Sequence, residues 1–336
     1  LFMAEAVYNA SGLGLPIVMT IGNRAIGAPI NIWNDHSDAM AMKDAGWIQL
    51  FADDNQEAAD LHVQAFRIAE ELSCPVMVNV DGFILTHAVE RVDLPEQGDV
   101  DAFLPPFDPQ QLLDVNEPVS MGAMVGPDAF MEVRYLAHLK QLRALELIPR
   151  IAGEFRERFG RAAGGLVRPY RTGGAATLVV ALGSVNGTIA EVVDELRDEG
   201  VPVGSVSIGS FRPFPLDALA AALADARRVV VIEKNLAPGL GGALASNVRM
   251  ALRAHPLPVH TVIAGLGGRS ITRGSLRRVV LAAERGDLED VHFLDLDWSA
   301  VHREVARWTE RRRSGPVAEN VLRDLSAARP PMSRVV

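Results

Sequence analysis

Thiol chemistry is almost absent from this sequence: of its 336 residues, only Cys74 is a cysteine. One thiol makes no internal disulfide, no Cys-ligated zinc site and no iron–sulfur cluster. Long apolar runs are lacking too. Stretches such as residues 15–21 fall far short of the ~20 residues of a membrane-spanning helix, so no membrane association is expected. Positive charge is in deficit, with 33 Lys and Arg against 42 Asp and Glu and a net charge of −9. A phosphate backbone is bound by a basic face, so nucleic acid is not an expected partner. No basic segment leads into an apolar one near the start, and the expected location is cytoplasmic. The chain opens on Leu1 in a stretch that already reads as helical, which raises the expectation that sequence upstream is missing.

What is present is the composition of a globular protein, 49% hydrophobic and 22% charged, long enough for about two domains. Short apolar runs at 15–20, 47–51 and 75–80 read as buried strands, with an amphipathic helix opening at Asn55 between the last two. Strand, helix, strand is the rhythm of a parallel sheet. Residues 91–127 are rich in proline and acid and read as a long irregular arm, of a length that is usually functional or wraps a partner. A helix over 131–159 follows, broken at Gly160 and by the flexible Gly164-Gly165 pair, and a domain boundary is expected at 160–175. The βα rhythm then resumes, with strands at 177–182, 203–208, 229–232, 259–264 and 291–294. The intervening helices cover 187–199, 216–225, about 243–253 and 275–285. The remainder, basic at Arg311, Arg312 and Arg313 and ending near Pro330 and Pro331, reads as a solvated or partner-bound extension. The fold class is α/β with two parallel-sheet domains.

Ligands of such sheets sit beyond the carboxyl ends of the strands. Arg24 follows the first strand, where its planar fork suits a carboxylate or phosphate; the alternative is an ordinary surface arginine. Asn34, Asp35 and His36 form a compact polar cluster that is either an Asx-capped turn or the lining of a site. Asp81, with Thr86 and His87 behind it, stands at another strand end and carries the same two readings. Gly183-Ser184 and the segment 265–269 have the glycines of a phosphate cradle, but neither fits a dinucleotide or Walker pattern. The Gly-Asp-Gly…Asn signature that holds a metal and diphosphate in thiamine enzymes is absent, and no metal ligands are assigned.

Residues 24–38 (Arg-Ala-Ile-Gly-Ala-Pro-Ile-Asn-Ile-Trp-Asn-Asp-His-Ser-Asp) closely resemble a segment of one known family. So do 44–47 (Asp-Ala-Gly-Trp), 55–58 (Asn-Gln-Glu-Ala), 79–87, 103–106 (Phe-Leu-Pro-Pro) and 211–215 (Phe-Arg-Pro-Phe-Pro). In this order they resemble the alpha subunit of pyruvate:ferredoxin oxidoreductase, within the wider 2-oxoacid:ferredoxin oxidoreductase family. The resemblance runs from residue 1 to about 295. It implies oxidative decarboxylation of a 2-oxoacid with thiamine diphosphate, transfer of the acyl group to coenzyme A, and electrons passed to ferredoxin. It implies an incomplete pyrimidine-binding-type domain over 1–165 with its arm at 91–127, a transketolase C-terminal-like domain over 173–296, and an extension over 297–336. It further implies that thiamine diphosphate is shared with a beta subunit carrying the diphosphate site and magnesium. Iron–sulfur clusters are expected on partner subunits, a ferredoxin-like and a gamma subunit among them, and none on this chain alone. Arg24 takes the role of the family's substrate-carboxylate arginine. Asn34, Asp35, His36 and Asp81 line the site without an assigned catalytic role.

The departure is at the start. The family's Tyr-Pro-Ile-Thr-Pro segment, and the acidic residue that touches the cofactor's aminopyrimidine, precede Arg24 and do not occur here. Two alternatives therefore accompany the leading expectation: an oxidoreductase for a branched-chain or aromatic 2-oxoacid, and a non-catalytic assembly subunit. One cysteine and no diphosphate motif predict that the chain purified alone is colourless and does not reduce a dye with pyruvate. An absorption spectrum and a dye-reduction assay check this; a brown protein would refute the placement of the clusters on other chains.

Overall fold

The computed structural model describes residues 3–27, 29–310 and 315–327. The first half contains α1 (Ala4–Gly12), β1 (Val18–Asn23), α2 (Ser37–Ala41), β2 (Ile48–Phe51), α3 (Asn55–Leu72), β3 (Val76–Asp81), α4 (Gln97–Phe103) and α5 (Pro127–Phe159). The second contains β4 (Val167–Tyr170), β5 (Thr177–Ala181), α6 (Val185–Asp198), β6 (Val203–Ile208), β7 (Ser210–Arg212), α7 (Leu216–Ala222) and β8 (Arg228–Glu233). It continues with α8 (Ala243–Ala251), β9 (Val259–Ile263), α9 (Arg273–Arg285), β10 (Val291–Phe293), α10 (Trp298–Thr309) and α11 (Val317–Ala327). These form a four-stranded sheet ordered β1-β3-β2-β7 and a six-stranded sheet ordered β10-β9-β8-β5-β6-β4. All pairings are parallel except those of β7 with β2 and of β4 with β6.

Local sequence explains the elements. The β2, β3, β5 and β6 residues are all buried, as continuous apolar strands of a sheet covered on both faces are. At the start of α3 the Asp54 side chain accepts from the Glu57 N–H at 2.7 Å, and Glu57 Oε2 accepts from the Asp53 N–H at 2.8 Å, a reciprocal cap. Thr272 caps α9 in the same manner. α5 runs for 33 residues, but its buried side chains lie between Ala144 and Phe155; the turns before Leu142 carry exposed Phe130, Met131, Tyr135 and Leu136. Cys74 is buried, and burial pushes its thiol up to about 11, which leaves it unreactive at neutral pH.

Three segments differ from the expectation. The 160–175 stretch is pinned: Arg161 grips the buried Asp60 through two bonds of 3.0 and 2.7 Å, and Gly164 N–H donates to Glu57 Oε1 at 3.1 Å. Its Val-Arg-Pro-Tyr run forms the edge strand β4, the sheet position that tolerates proline and the one that period-2 patterning cannot reveal in four residues. The arm is not wholly irregular, since α4 lies within it and buries Phe103. The extension folds as the helix pair α10 and α11, closed by Arg307 on Asp324 at 3.0 and 2.8 Å. Arg311 to Arg313, Pro330, Pro331, Leu1 and Ala28 lie outside the described residues. No described helix is long and apolar enough to cross a membrane.

Phe155 is fully buried, 5.6 Å edge-on from Phe103 and 4.4 Å from Phe159. Phe155→Ala is expected to lower stability by about 3–5 kcal/mol, through lost burial and the cavity left behind. The exposed neighbour change Arg156→Ala should stay within about 0.5 kcal/mol. Denaturant midpoints of the two variants check the contrast.

Candidate functional site

Asp81 closes β3, a strand buried along its whole length, and so arrives at the boundary of the two halves with 1% exposure. Its Oδ1 lies 2.7 Å from His36 Nε2 and accepts from Asn34 Nδ2 at 3.1 Å. Its Oδ2 accepts from Lys234 Nζ at 2.8 Å, from the Ser184 N–H at 2.9 Å and from the Ser184 hydroxyl. Lys234 follows β8 and Ser184 precedes α6, so one carboxylate binds two loops of the second sheet and one segment of the first. Burial alone would raise the Asp81 pKa; the charges of Lys234 and His36, and their hydrogen bonds, hold it well below the ordinary carboxylate value. Gly82 makes the strand end possible, since a Cβ there would lie 2.4 Å from the Asn23 carbonyl oxygen.

The segment from Arg24 to Asp38 is fixed at both ends. The Arg24 N–H donates to Asp38 Oδ2 and Asn23 Nδ2 to Asp38 Oδ1, each at 3.0 Å. The Ala25 N–H donates to the Trp33 carbonyl at 3.0 Å and closes the loop. Burial pushes the Asp38 carboxyl up against these hydrogen bonds, which lower it. Asn31, Asp35 and His36 of the segment reach the second half. Asp35 Oδ2 accepts from the Gly267 N–H and Asn31 Nδ2 donates to the Gly267 carbonyl, each at 3.1 Å. The His36 N–H donates to the Lys234 carbonyl at 2.8 Å. Gly268 must be glycine for this contact, because a Cβ would lie 2.4 Å from Trp33 Cβ.

The outer face of this latch lies at the carboxyl ends of β1, β3, β5, β8 and β9. A crevice of about 220 Å³ opens there between the halves, lined among others by Trp33, Asn34, Phe83, Ser184, Lys234 and Arg269. The buried Oδ1 of Asn34 has no hydrogen-bond partner. Ile30, Ile32, Trp33, Phe83 and Ile84 form an exposed apolar rim, with the Trp33 and Phe83 rings 6.0 Å apart and His87 stacked on Phe83 at 4.3 Å. Arg24 stands on the same loop, exposed, with no side-chain hydrogen bond or ion pair among the described residues. Among those residues there is also no group of three or more His, Cys, Asp or Glu placed to hold a metal.

The structure thus gathers Asn34, Asp35, His36 and Asp81 into one interdomain network and leaves Arg24 free on the loop they hold. Ser184 serves Asp81 instead of standing open as a phosphate cradle. Gly267 likewise spends its N–H and carbonyl on Asp35 and Asn31. Lys234 was missed from sequence; the signal was a charged Glu-Lys pair directly after the apolar strand Val-Val-Val-Ile. Glu233, 2% exposed, turns the other way and accepts from the Leu244 and Ala245 N–H groups at 3.1 and 3.0 Å; burial pushes it up to about 7 against these bonds.

Comparison with known proteins follows the same division. Residues 1–151 match the family model described as pyruvate flavodoxin/ferredoxin oxidoreductase, thiamine diphosphate-binding, and residues 175–276 match pyruvate:ferredoxin oxidoreductase core domain II. The pyruvate synthase subunit PorA of Methanothermobacter thermautotrophicus is 45% identical over 284 residues, 84% of this chain and 73% of that one. The PorA subunit of Thermotoga maritima is 44% identical, with 85% and 74% covered. The ketoisovalerate oxidoreductase subunit VorA of Pyrococcus abyssi is 35% identical, with 82% and 71% covered. Among solved structures, a 2-oxoglutarate:ferredoxin oxidoreductase from Magnetococcus marinus shares the fold, with a TM-score of 0.55 at 18% identity over 83% of this chain and 50% of that one.

Asp81→Asn would leave Lys234 buried and uncompensated, an expected loss of about 3–5 kcal/mol at neutral pH. Because the folded-state pKa of Asp81 is depressed, its stabilisation is present above the ordinary value of 3.8 and is lost as the pH falls below it. The wild type should therefore weaken more steeply than Asp81→Asn between about pH 4 and pH 2; denaturation curves across that range check this.

Proposed function

This chain belongs to the pyruvate:ferredoxin oxidoreductase family, and we propose that it works there as the alpha subunit of a thiamine-diphosphate-dependent enzyme acting on pyruvate. The observation that carries the reading is Arg24. Its guanidinium stands unpaired at the strand-end edge, while Asp38 fixes its backbone on a loop that the Asp81 network holds rigid. A 2-oxoacid arrives as an anion, and a planar fork held in place orients its carboxylate while the neighbouring carbonyl reacts.

The residues present fit one share of the cofactor site. The rim of Trp33, Phe83 and Ile84 and the crevice behind it offer an apolar surface. The diphosphate and metal end of the cofactor is assigned in this reading to a beta subunit. When bound, thiamine diphosphate supplies the nucleophilic carbon and the electron sink that decarboxylation requires. This chain's part is to bind the substrate carboxylate through Arg24, to keep Asn34 and His36 in place through Asp81, and to exclude water with the aromatic rim. Ferredoxin-like and gamma subunits, with the iron–sulfur clusters, complete the proposed complex, in which coenzyme A takes the acyl group. The division into 1–165, 173–296 and 297–336 and a cytoplasmic site of action belong to the same proposal. The identity with VorA favours a branched-chain 2-oxoacid as the second reading; kcat/KM for pyruvate against 2-oxoisovalerate separates the two.

In the assembled complex, Arg24→Ala should lower kcat/KM for the 2-oxoacid roughly tenfold to a hundredfold, the worth of one charged hydrogen-bonded contact. Thiamine diphosphate content should stay unchanged. Arg24→Lys should restore part of the loss, since an ammonium keeps the charge without the fork. Wild-type kinetics for Arg24→Ala would place the carboxylate elsewhere; failure of the complex to assemble would make Arg24 structural.

A further inference from the structure

A second cavity lies away from the strand ends that carry Arg24. It is a groove of about 860 Å³ bounded by α5, by the turn before β2 and by the segment after β7. Arg212 pairs with Gln49 near the start of β2, so the groove opens at the amino-terminal edge of the first sheet, opposite the strand ends that carry Arg24. Its floor is apolar, with Leu142, Leu145 and Phe214. Its walls carry Lys43, Arg134, His138, Arg212 and Arg253 against Asp44 and Asp217, and Lys43 pairs with Asp44 at 2.6 Å. The side chains of Arg134, His138 and Arg253 make no hydrogen bond or ion pair among the described residues. Arg212 donates to its neighbour's carbonyl, that of Phe211, at 2.8 Å, and its nearest carboxylate, Asp44, is 3.8 Å away and exposed. In a chain of net charge −9, the partnerless side chains of Arg134, His138 and Arg253, gathered with Arg212 on one apolar floor, point to an anionic, partly apolar occupant.

Such a segment exists on this chain. Between residues 92 and 133 there is no Lys, Arg or His. Asp108, Asp114, Glu117, Asp128 and Glu132 of that stretch form no ion pair among the described residues. Leu112, Leu113, Val115 and Met124 beside them are 64%, 79%, 91% and 100% exposed. This acidic, apolar arm runs directly into α5, whose residues from Arg134 onward line the groove. Arm and groove are therefore neighbours on one face of the molecule. A two-fold axis through that face would carry each arm onto the other's groove, the self-complementary arrangement of an isologous pair. We propose that the groove is the docking site for the acidic arm of a second copy of this chain, in a reciprocal arm-exchanged dimer.

The test uses the full chain. Equal amounts of ¹⁵N-labelled and unlabelled chain are treated with a zero-length carbodiimide, which joins an amine to a carboxylate, and peptides are read by mass spectrometry. Mixed-isotope links from Lys43 to Asp108, Asp114 or Glu117 are expected. In sedimentation velocity, Arg212→Glu with Arg253→Glu should raise the dimer dissociation constant by about a hundredfold or more. Asp108→Lys with Asp114→Lys and Glu117→Lys should do the same. Mixing the two variant chains should restore the dimer, which also shows that each remains folded. A wild-type chain that is monomeric at all concentrations, a dimer indifferent to both reversals, links confined to one chain, or no rescue on mixing would each overturn the proposal.

Discussion

The carboxylate of Asp81 is the point on which the arrangement of this molecule turns. It sits with Lys234 in a place where neither is solvated, and it binds the end of one sheet to two loops of the other. A buried ion pair of this kind is weak as a source of net stability, because desolvation offsets the attraction. Its effect is on geometry. Every alternative placement of the two halves would strand a charge in a dry interior, so the network selects one relative position. The hydrogen bonds from Ser184, Asn34 and His36 leave the carboxylate fully occupied, which keeps such a network from becoming a liability.

Apolar packing secures the same relationship from the other side. Strand β7 belongs by sequence to the second half and by hydrogen bonding to the first sheet, where it lies antiparallel to β2. Ala39, Met40 and Phe51 from the first half pack into the core that β5, β6, β8 and α8 enclose. The Phe51 and Phe211 rings meet edge to face at 6.3 Å. A shared strand and a shared core make the two sheets one body. Asn34 is consequently anchored to the first sheet and His36 to both; a site carried on such a body gains from this, because misplacement of about 1 Å is costly in rate.

The two edges of the first sheet differ in character. At the carboxyl edge the Asp81 carboxylate is fully hydrogen-bonded, and the exposed aromatic rim takes Trp33 from the loop that also carries Arg24. At the amino edge the side chains of Arg134, His138 and Arg253 have no partners among the described residues, and the floor is apolar. The first is the pattern of a site completed by another surface, with its own residues already ordered. The second is the pattern of a surface still awaiting its counter-charge. Both follow from the parallel sheet, which sends all its loops of one kind to one end.

Much of this was written in the chain locally. Buried strands such as Val229 to Ile232 announce themselves as uninterrupted apolar runs, and α3 by its cap and its 3.6-residue stripe, because these signals come from neighbours within a few residues. The motif from Arg24 to Asp38 was legible as a unit, since its residue order is specific. What its members do was not. Asn34, Asp35 and His36 look from sequence like one cluster facing one ligand, yet Asp35 reaches Gly267, 232 residues on, and His36 reaches Asp81 and Lys234. β4 and β7 were invisible, because strands of four and three residues owe their existence to the partner strand. Sequence determined the longer elements and the identity of most of the chemistry-bearing residues. The tertiary structure decided which of them spend their hydrogen bonds on one another and which, like Arg24, remain free, because that depends on contacts between segments that only folding brings together.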